Sequence, residues 1–261
     1  MDIHFGCTVC GKCCRDLRLP LTVAEAAAWL ADGNPVQVIC EARPWPAETA
    51  PDDPRAAHQR RRSFAAMSGI VPVRIVVILT ANLEGACPNL KADLRCGIYA
   101  RRPLVCRIYP AEINPFVELR PSNKGCPAEA WSADRPLLQR DGVVADAELA
   151  GQIRRSRDID AQDVAVKQRL CGALNLHCTA LMSEGFVVHS PERSTLSAAI
   201  ALATAPGADA ASAASAPGND WCFLSNRRGT VQAMRGAGAR CELAGATGSS
   251  FEYLGFQPAS A

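Results

Sequence analysis

Four cysteines within eight residues, Cys7, Cys10, Cys13 and Cys14, open this chain as a C-x2-C-x2-C-C run. A C-x2-C step lets one tight loop turn two thiolates onto a common ion. Repeating the step carries a third sulfur to the same small volume. Four more cysteines follow at wide spacing: Cys87, Cys96, Cys106 and Cys126. Together the eight read as a metal-holding cage, and a chain built around such a cage is organised by its ligands before its core.

Cys13 and Cys14 are the awkward pair. Successive side chains diverge in extended backbone, so the two are not expected to bind one ion in the same way. Cys14 is expected to serve a second metal or a second edge of a cluster, and eight sulfurs suffice for two four-sulfur sites. Two groups suit the donors. The C-x2-C-x2-C run matches the tight half of a ferredoxin-type loop, whose fourth ligand comes from elsewhere in the sequence. Four-cysteine zinc sites usually join two short knuckles, and no second knuckle exists here. Spacing therefore favours an iron–sulfur cluster over zinc or iron alone, while thiolate softness leaves all of them open.

Composition narrows the setting. Thirteen cysteines in 261 residues are an odd number, which would leave one thiol over in an all-disulfide scheme. Residues 1–14 carry no apolar leader, and no stretch of about twenty apolar residues reads as a membrane span. The expectation is a cytoplasmic protein with thiolates on metal rather than disulfides. A net charge of +2 argues against a general nucleic-acid binder.

The expected fold class is α+β. It comprises a small, irregular, metal-organised cysteine-rich domain with a short sheet and flanking helices (1–135), a helical region (140–205), a linker (206–219) and a small appendage or partly disordered tail (220–261). Leu17–Leu21 reads as a strand. Thr22-Val23-Ala24-Glu25 is a capping-box pattern that opens a helix to about Ala31. Residues 44–54 read as an exposed loop, and Ile70–Thr80 as a buried strand. Prolines break the segment from Cys87 to Cys126 into short turns. Asp146–Gly185 reads as helical, with Val164, Cys171, Leu174, Cys178 and Leu181 on one apolar stripe. A second short helix is expected over Ser194–Ala203.

The cysteine motifs resemble a known family. The run Cys7-x2-Cys10-x2-Cys13-Cys14 is similar to the signature of the YkgJ-type cysteine-cluster proteins, a zinc- or iron-chelating CxxCxxCC domain. Cys87-Pro88-x-Leu90, Cys96-x-Ile98-Tyr99-x2-Arg102-Pro103-x2-Cys106-Arg107-x-Tyr109-Pro110 and Gly125-Cys126 extend the match to about residues 5–130. The resemblance implies that the remote four cysteines are ligands too, and that the protein is of bacterial type. The domain is also similar to the N-terminal part of flagellin lysine N-methylases, which implies an alternative with an iron–sulfur cluster and S-adenosylmethionine.

Three functions follow. The first is a metal- or cluster-binding protein, the second a protein-lysine N-methyltransferase-like enzyme resting on family analogy, and the third a partner-binding protein with a purely structural zinc site. Catalytic residues are not assigned. Lys12, Arg102 and Arg107 stand beside the ligands, where cations offset thiolate charge. Tyr99 and Tyr109 are candidates to shield the metal, and Pro103 and Pro110 to fix the turns that aim Cys106. His4 is a possible substitute ligand. Cys171 and Cys178 are expected as core packing, and Cys40, Cys222 and Cys241 as isolated non-ligands. Arg60-Arg61-Arg62 reads as a solvated face.

Overall fold

The computed structural model of the protein describes residues 2–45, 52–207, 220–245 and 251–258. The fold is α+β. In chain order it begins with strands β1 (Asp2–His4) and β2 (Arg15–Leu21), helix α1 (Val23–Ala31), strand β3 (Gln37–Pro44) and helix α2 (Pro54–Arg61). Strands β4 (Phe64–Ser68) and β5 (Val71–Ala86) and helix α3 (Leu104–Ile108) follow. Next come β6 (Leu137–Arg140), β7 (Val143–Val144), α4 (Ala147–Gln162), α5 (Val164–Ala173), β8 (Cys178–Leu181), β9 (Gly185–His189) and α6 (Arg193–Thr204). The chain ends with β10 (Cys222–Ser225), α7 (Arg228–Gly236), β11 (Cys241–Leu243) and β12 (Phe251–Gly255).

Local signals explain several boundaries. Thr22 Oγ1 accepts from the Glu25 amide at 3.2 Å, and Glu25 Oε2 accepts from the Thr22 amide at 2.9 Å. This capping box satisfies two orphan donors and starts α1 as the sequence predicts. Asp53 caps α2 through the Arg55 amide, with Pro54 at the first helical position. The strand expected over Ile70–Thr80 runs further, to Ala86.

The single helix expected across Asp146–Gly185 does not form. Helix α5 stops at Ala173 because Asn175 takes a left-handed conformation, φ 53°. The Leu176 amide then reaches Cys171 O at 2.8 Å, and the Asn175 amide reaches Gly172 O at 3.1 Å. That is a Schellman closure, which terminates a helix. Cys178 and Leu181 therefore lie on β8, and the apolar stripe that seemed to join them to Cys171 is not a helix face.

The chain divides into two compact units. Unit 1 comprises residues 1–21 and 82–160 and holds all eight candidate ligands. Its three-stranded sheet runs β1-β6-β7. Its core packs Leu104 and Ile108 of α3 with Ala111 against Ile153 of α4. The end of β5, residues 82–86, belongs to this unit.

Unit 2 comprises residues 22–81 and 161–261. Its strands run β11-β10-β8-β3-β5. The β11, β10, β8 and β3 neighbours are parallel, and β3 pairs β5 antiparallel over eight residues, Gln37↔Thr80 to Pro44↔Val73. Strands β8 and β9 share the other edge of β3: Glu41 and Ala42 pair with β8, and Val38, Ile39 and Cys40 with β9. Trp221, Phe223, Leu30, Ile75, Leu79, Leu170 and Leu196 are fully buried here. Within residues 220–261, β10 lies inside this sheet and β12 pairs β9. Of the linker expected at 206–219, residues 208–219 lie outside the described residues, as do residues 46–51 of the expected 44–54 loop. Among the described residues no helix is long and apolar enough to cross a membrane.

Candidate metal centre

The cage begins in the loop between β1 and β2. The Phe5 amide donates to Pro136 O at 2.9 Å and the Gly6 amide to Ala130 O at 2.8 Å, which anchors the entry to the loop. Val9 sits at φ 56°, a strained conformation for a β-branched residue, and its amide donates to Cys7 Sγ at 3.4 Å. Gly11, at φ 70°, opens a 3-10 turn over Lys12–Cys14. A Cβ at Gly11 would make only ordinary contact, 3.4 Å from Leu94 Cδ2, so it is the left-handed backbone that calls for glycine there.

Backbone pairing joins the second set of cysteines to the first. The Cys87 amide donates to Cys14 O at 2.7 Å, and two residues upstream the Gly85 amide donates to Asp16 Oδ1 at 2.7 Å. A tight turn then folds back on itself. The Gly97 amide reaches Asn89 O at 2.7 Å, and Leu90 forms a bridge with Cys96. Cys106 lies on α3, whose Leu104 and Ile108 face the core. At about 100° per residue, Cys106 is some 200° from Leu104, on the other side of the helix. Pro103 precedes α3 and accepts from the Cys106 amide at 3.0 Å. Tyr109 Oη lies 3.4 Å from Cys126 Sγ.

Electrostatic influence maps the neighbourhood. Burial raises the thiols of Cys13 and Cys106 to about 12, and those of Cys14, Cys87 and Cys126 above their ordinary value. Cys13 has an exposed side chain, yet enough protein lies on one side of it to desolvate its anion. After burial, neighbouring sulfurs act. Cys106 feels Cys14, Cys87, Cys13 and Cys96; Cys87 feels Cys14 and Cys96. Cys14 feels Cys96, Cys7 and Cys10, and hydrogen-bonds Cys13. Cys13 feels Cys14, Cys7 and Cys126, while Cys126 feels Cys10 and Cys7. All eight predicted cysteines thus belong to one connected set of thiols. Among the described residues, however, no three His, Cys, Asp or Glu side chains are arranged to hold an ion as they stand.

The donors fit a soft metal. They are sulfur only, the ligand type that selects zinc, iron and iron–sulfur groups over magnesium or calcium. Thr8 Oγ1, next to Cys7, and Arg102 Nε are buried without a hydrogen-bond partner, so polar capacity at the loops is unspent.

Residues beside the ligands divide by what they touch. Arg107 donates to Arg102 O at 2.9 Å and Ala100 O at 3.0 Å, so its guanidinium holds the turn before α3. Arg102 stacks on Tyr99, 3.8 Å from the ring centroid, and Tyr99 itself is exposed. Tyr109 is the tyrosine that meets a sulfur; burial and Cys126 push its phenol up. His4 Nδ1 is engaged with Arg135 O at 2.7 Å. Sequence reasoning missed Lys124. Its ammonium pairs with Glu112 Oε1 at 2.6 Å, lies over the Tyr109 ring and offsets a little of the rise that burial gives the Cys126 thiol. Its place two residues before Cys126 was the available signal.

The remaining five cysteines are buried in unit 2. Two are not isolated as expected: Cys40 hydrogen-bonds Cys171, and Cys222 is the register partner of Cys178 on the adjacent strand.

No curated protein and no solved structure matches the chain. The segment from residue 6 to residue 127, a little under half of the 261-residue chain, carries all eight cage cysteines and matches the model of the CxxCxxCC family, a "Putative zinc- or iron-chelating domain", which is the family the motifs resemble.

Proposed function

We propose that this chain is a metal-binding protein in which Cys7, Cys10, Cys13, Cys14, Cys87, Cys96, Cys106 and Cys126 hold one or two thiolate-ligated centres, with iron–sulfur as the group. The observation that carries the reading is the mutual proximity of eight thiols drawn from loops far apart in sequence. Eight cysteines packed only for apolar burial would sit in the core, as the five in unit 2 do; these are half-buried or exposed. The C-x2-C-x2-C spacing without a second knuckle supports iron–sulfur over zinc.

Such a group, when bound, supplies a cross-link between loops or a carrier of single electrons. The chain's own residues do the rest. The Val9 amide donates to Cys7 Sγ and Tyr109 Oη meets Cys126 Sγ, contacts that stabilise thiolate over thiol. Lys124 adds positive charge beside Cys126. A group held by cysteines far apart in sequence ties their loops together, so metal affinity and folding of unit 1 are linked.

Anaerobic isolation with elemental analysis and an absorption spectrum tests the reading. Iron with acid-labile sulfide and broad visible absorbance is expected. Stoichiometric zinc without sulfide overturns the choice of group, and protein that binds neither iron nor zinc overturns the function.

A further inference from the structure

We infer that the surface of unit 1 formed by residues 9–15 and 90–102 docks a protein partner whose own contact patch is acidic around an apolar centre. This goes beyond the proposed function and stands whichever group the cysteines hold.

Charge is unevenly shared within unit 1. Residues 12–18 and 91–107 hold eight cations against two acids, Asp16 and Asp93, whereas the rest of the unit holds eleven acids against seven cations. Both acids in the basic segments are engaged by backbone: Asp16 accepts from the Gly85 amide at 2.7 Å, and Asp93 from the Arg95 amide at 3.1 Å. Lys12, Arg15, Lys91, Arg95 and Arg101 are exposed, and their side chains make no ion pair and no hydrogen bond among the described residues. The two segments lie side by side. Leu94 Cδ2 and Leu90 Cδ1 are 3.4 and 3.7 Å from where a Cβ on Gly11 would stand, and the Cys87 amide donates to Cys14 O at 2.7 Å.

Three large apolar side chains stand exposed among these cations: Val9, Leu94 and Tyr99. Val9 at φ 56° and Leu94 at φ 64° both take the left-handed conformation, where glycine or asparagine fits and a branched side chain is strained. Neither position recovers that cost as core burial, since both side chains remain exposed. Strained backbone that holds apolar groups toward solvent is explained by a partner that covers them. Apolar and aromatic groups ringed by arginine and lysine are the anatomy of a protein interface, and the ring complements a patch of opposite sign. A nucleic acid fits less well. Tyr99 is the only aromatic residue in the two segments, and Arg102 already lies 3.8 Å from its ring centroid, so the surface lacks a row of stacking platforms.

The full-length chain is isolated anaerobically, its metal content is measured, and it is titrated by fluorescence anisotropy at low salt. The probes are a labelled peptide of glutamates interrupted by leucine and tyrosine, an all-glutamate peptide of equal charge, and single-stranded DNA of equal charge; co-sedimentation with phosphatidylserine vesicles is read in parallel. Saturable binding of the mixed peptide is expected, about tenfold tighter than that of the all-glutamate peptide or the DNA. Lys91→Glu with Arg95→Glu is expected to raise its Kd more than about tenfold, because reversal sets like charges face to face. Leu94→Asn, which suits the left-handed backbone, is expected to narrow the preference for the mixed peptide. Tighter binding to DNA or vesicles, equal binding to every polyanion, or no saturable binding of the mixed peptide overturns the docking surface. Reversal variants that lose metal but still bind the peptide also overturn it, since the cations then serve charge balance at the cage. The wild type alone covers a variant that fails to fold: mixed-peptide binding must weaken as salt rises, and salt-independent binding overturns the proposal. Metal-free protein that binds the mixed peptide overturns the proposed function and leaves the docking surface standing.

Discussion

Tyr109 Oη stands 3.4 Å from Cys126 Sγ, a side-chain contact from α3's trailing turn to a cage sulfur. Tyr109 follows α3 immediately, and Cys126 lies at the far end of a proline-broken segment, so the contact fastens that segment to the helix that presents Cys106. Lys124 reinforces it from above the ring, held in place by Glu112. A hydroxyl that donates to a ligating sulfur favours the thiolate and therefore the metal.

Tyr109→Phe removes that donor and keeps the ring. Outer contacts to ligands are worth about 10–100-fold in metal affinity, and a single hydroxyl–sulfur bond belongs at the low end, about 10-fold. Chelator competition is expected to show that loss. Folding of the metal-free chain, read by denaturant midpoint, is expected to move little. Equal weakening of the metal-free fold and of metal retention would mean that the tyrosine acts through packing alone.

How much of this was legible depends on whether local rules controlled each element. The capping box at Thr22 and Glu25 marks the start of α1 locally, though the Val23 amide also donates to the distant Asp163 Oδ2 at 2.8 Å, and the C-x2-C-x2-C-C run announces a thiol cluster wherever the rest of the chain goes. The crowding of cysteines in sequence was readable from residue type and spacing, but which distant segments meet was not. The Cys14–Cys87 backbone bond joins residues 73 positions apart, which no local pattern encodes. The false helix through Cys178 has a similar origin. Cys171, Leu174, Cys178 and Leu181 satisfy helical spacing, and only the left-handed turn at Asn175, followed by parallel pairing to β3 and β10, makes the last two strand residues. Asn tolerates that conformation better than most residues and was the clue. Lys124 escaped because a lone lysine carries no pattern until Glu112 and Tyr109 are brought beside it.

Two glycines with similar backbone angles separate conformational strain from collision. Gly69 lies at φ 56° between β4 and β5, and a Cβ there would sit 2.2 Å from Gly238 O. Gly85 lies at φ 79° with no atom within 4 Å of a built Cβ. Alanine at residue 85 is expected to cost about 1 kcal/mol, the penalty for a left-handed non-glycine residue. Alanine at residue 69 adds displacement of backbone, bringing the loss to about 2–4 kcal/mol. Denaturant unfolding of Gly69→Ala and Gly85→Ala checks the ranking, and equal losses would contradict the close approach of Gly238.

Glu41 sits on the central strand β3 and is 7% exposed. Burial raises its carboxyl from 4.5 to about 7, and Arg62 offsets only part of this. A raised acid binds its proton more tightly in the folded chain than in the unfolded one. Its contribution to stability is therefore fully present below about pH 4.5, falls as pH rises, and is gone above about pH 7. The size of the change is about 3 kcal/mol. Glu41→Gln keeps the shape and removes the charge, so the variant loses none of this between those limits. Urea unfolding from pH 4 to 8 is expected to show the two proteins diverging through the interval, with the variant the more stable at pH 8. Curves that stay parallel across the whole range would show that the Glu41 carboxylate is solvated in the folded chain, and that burial on β3 does not hold its proton.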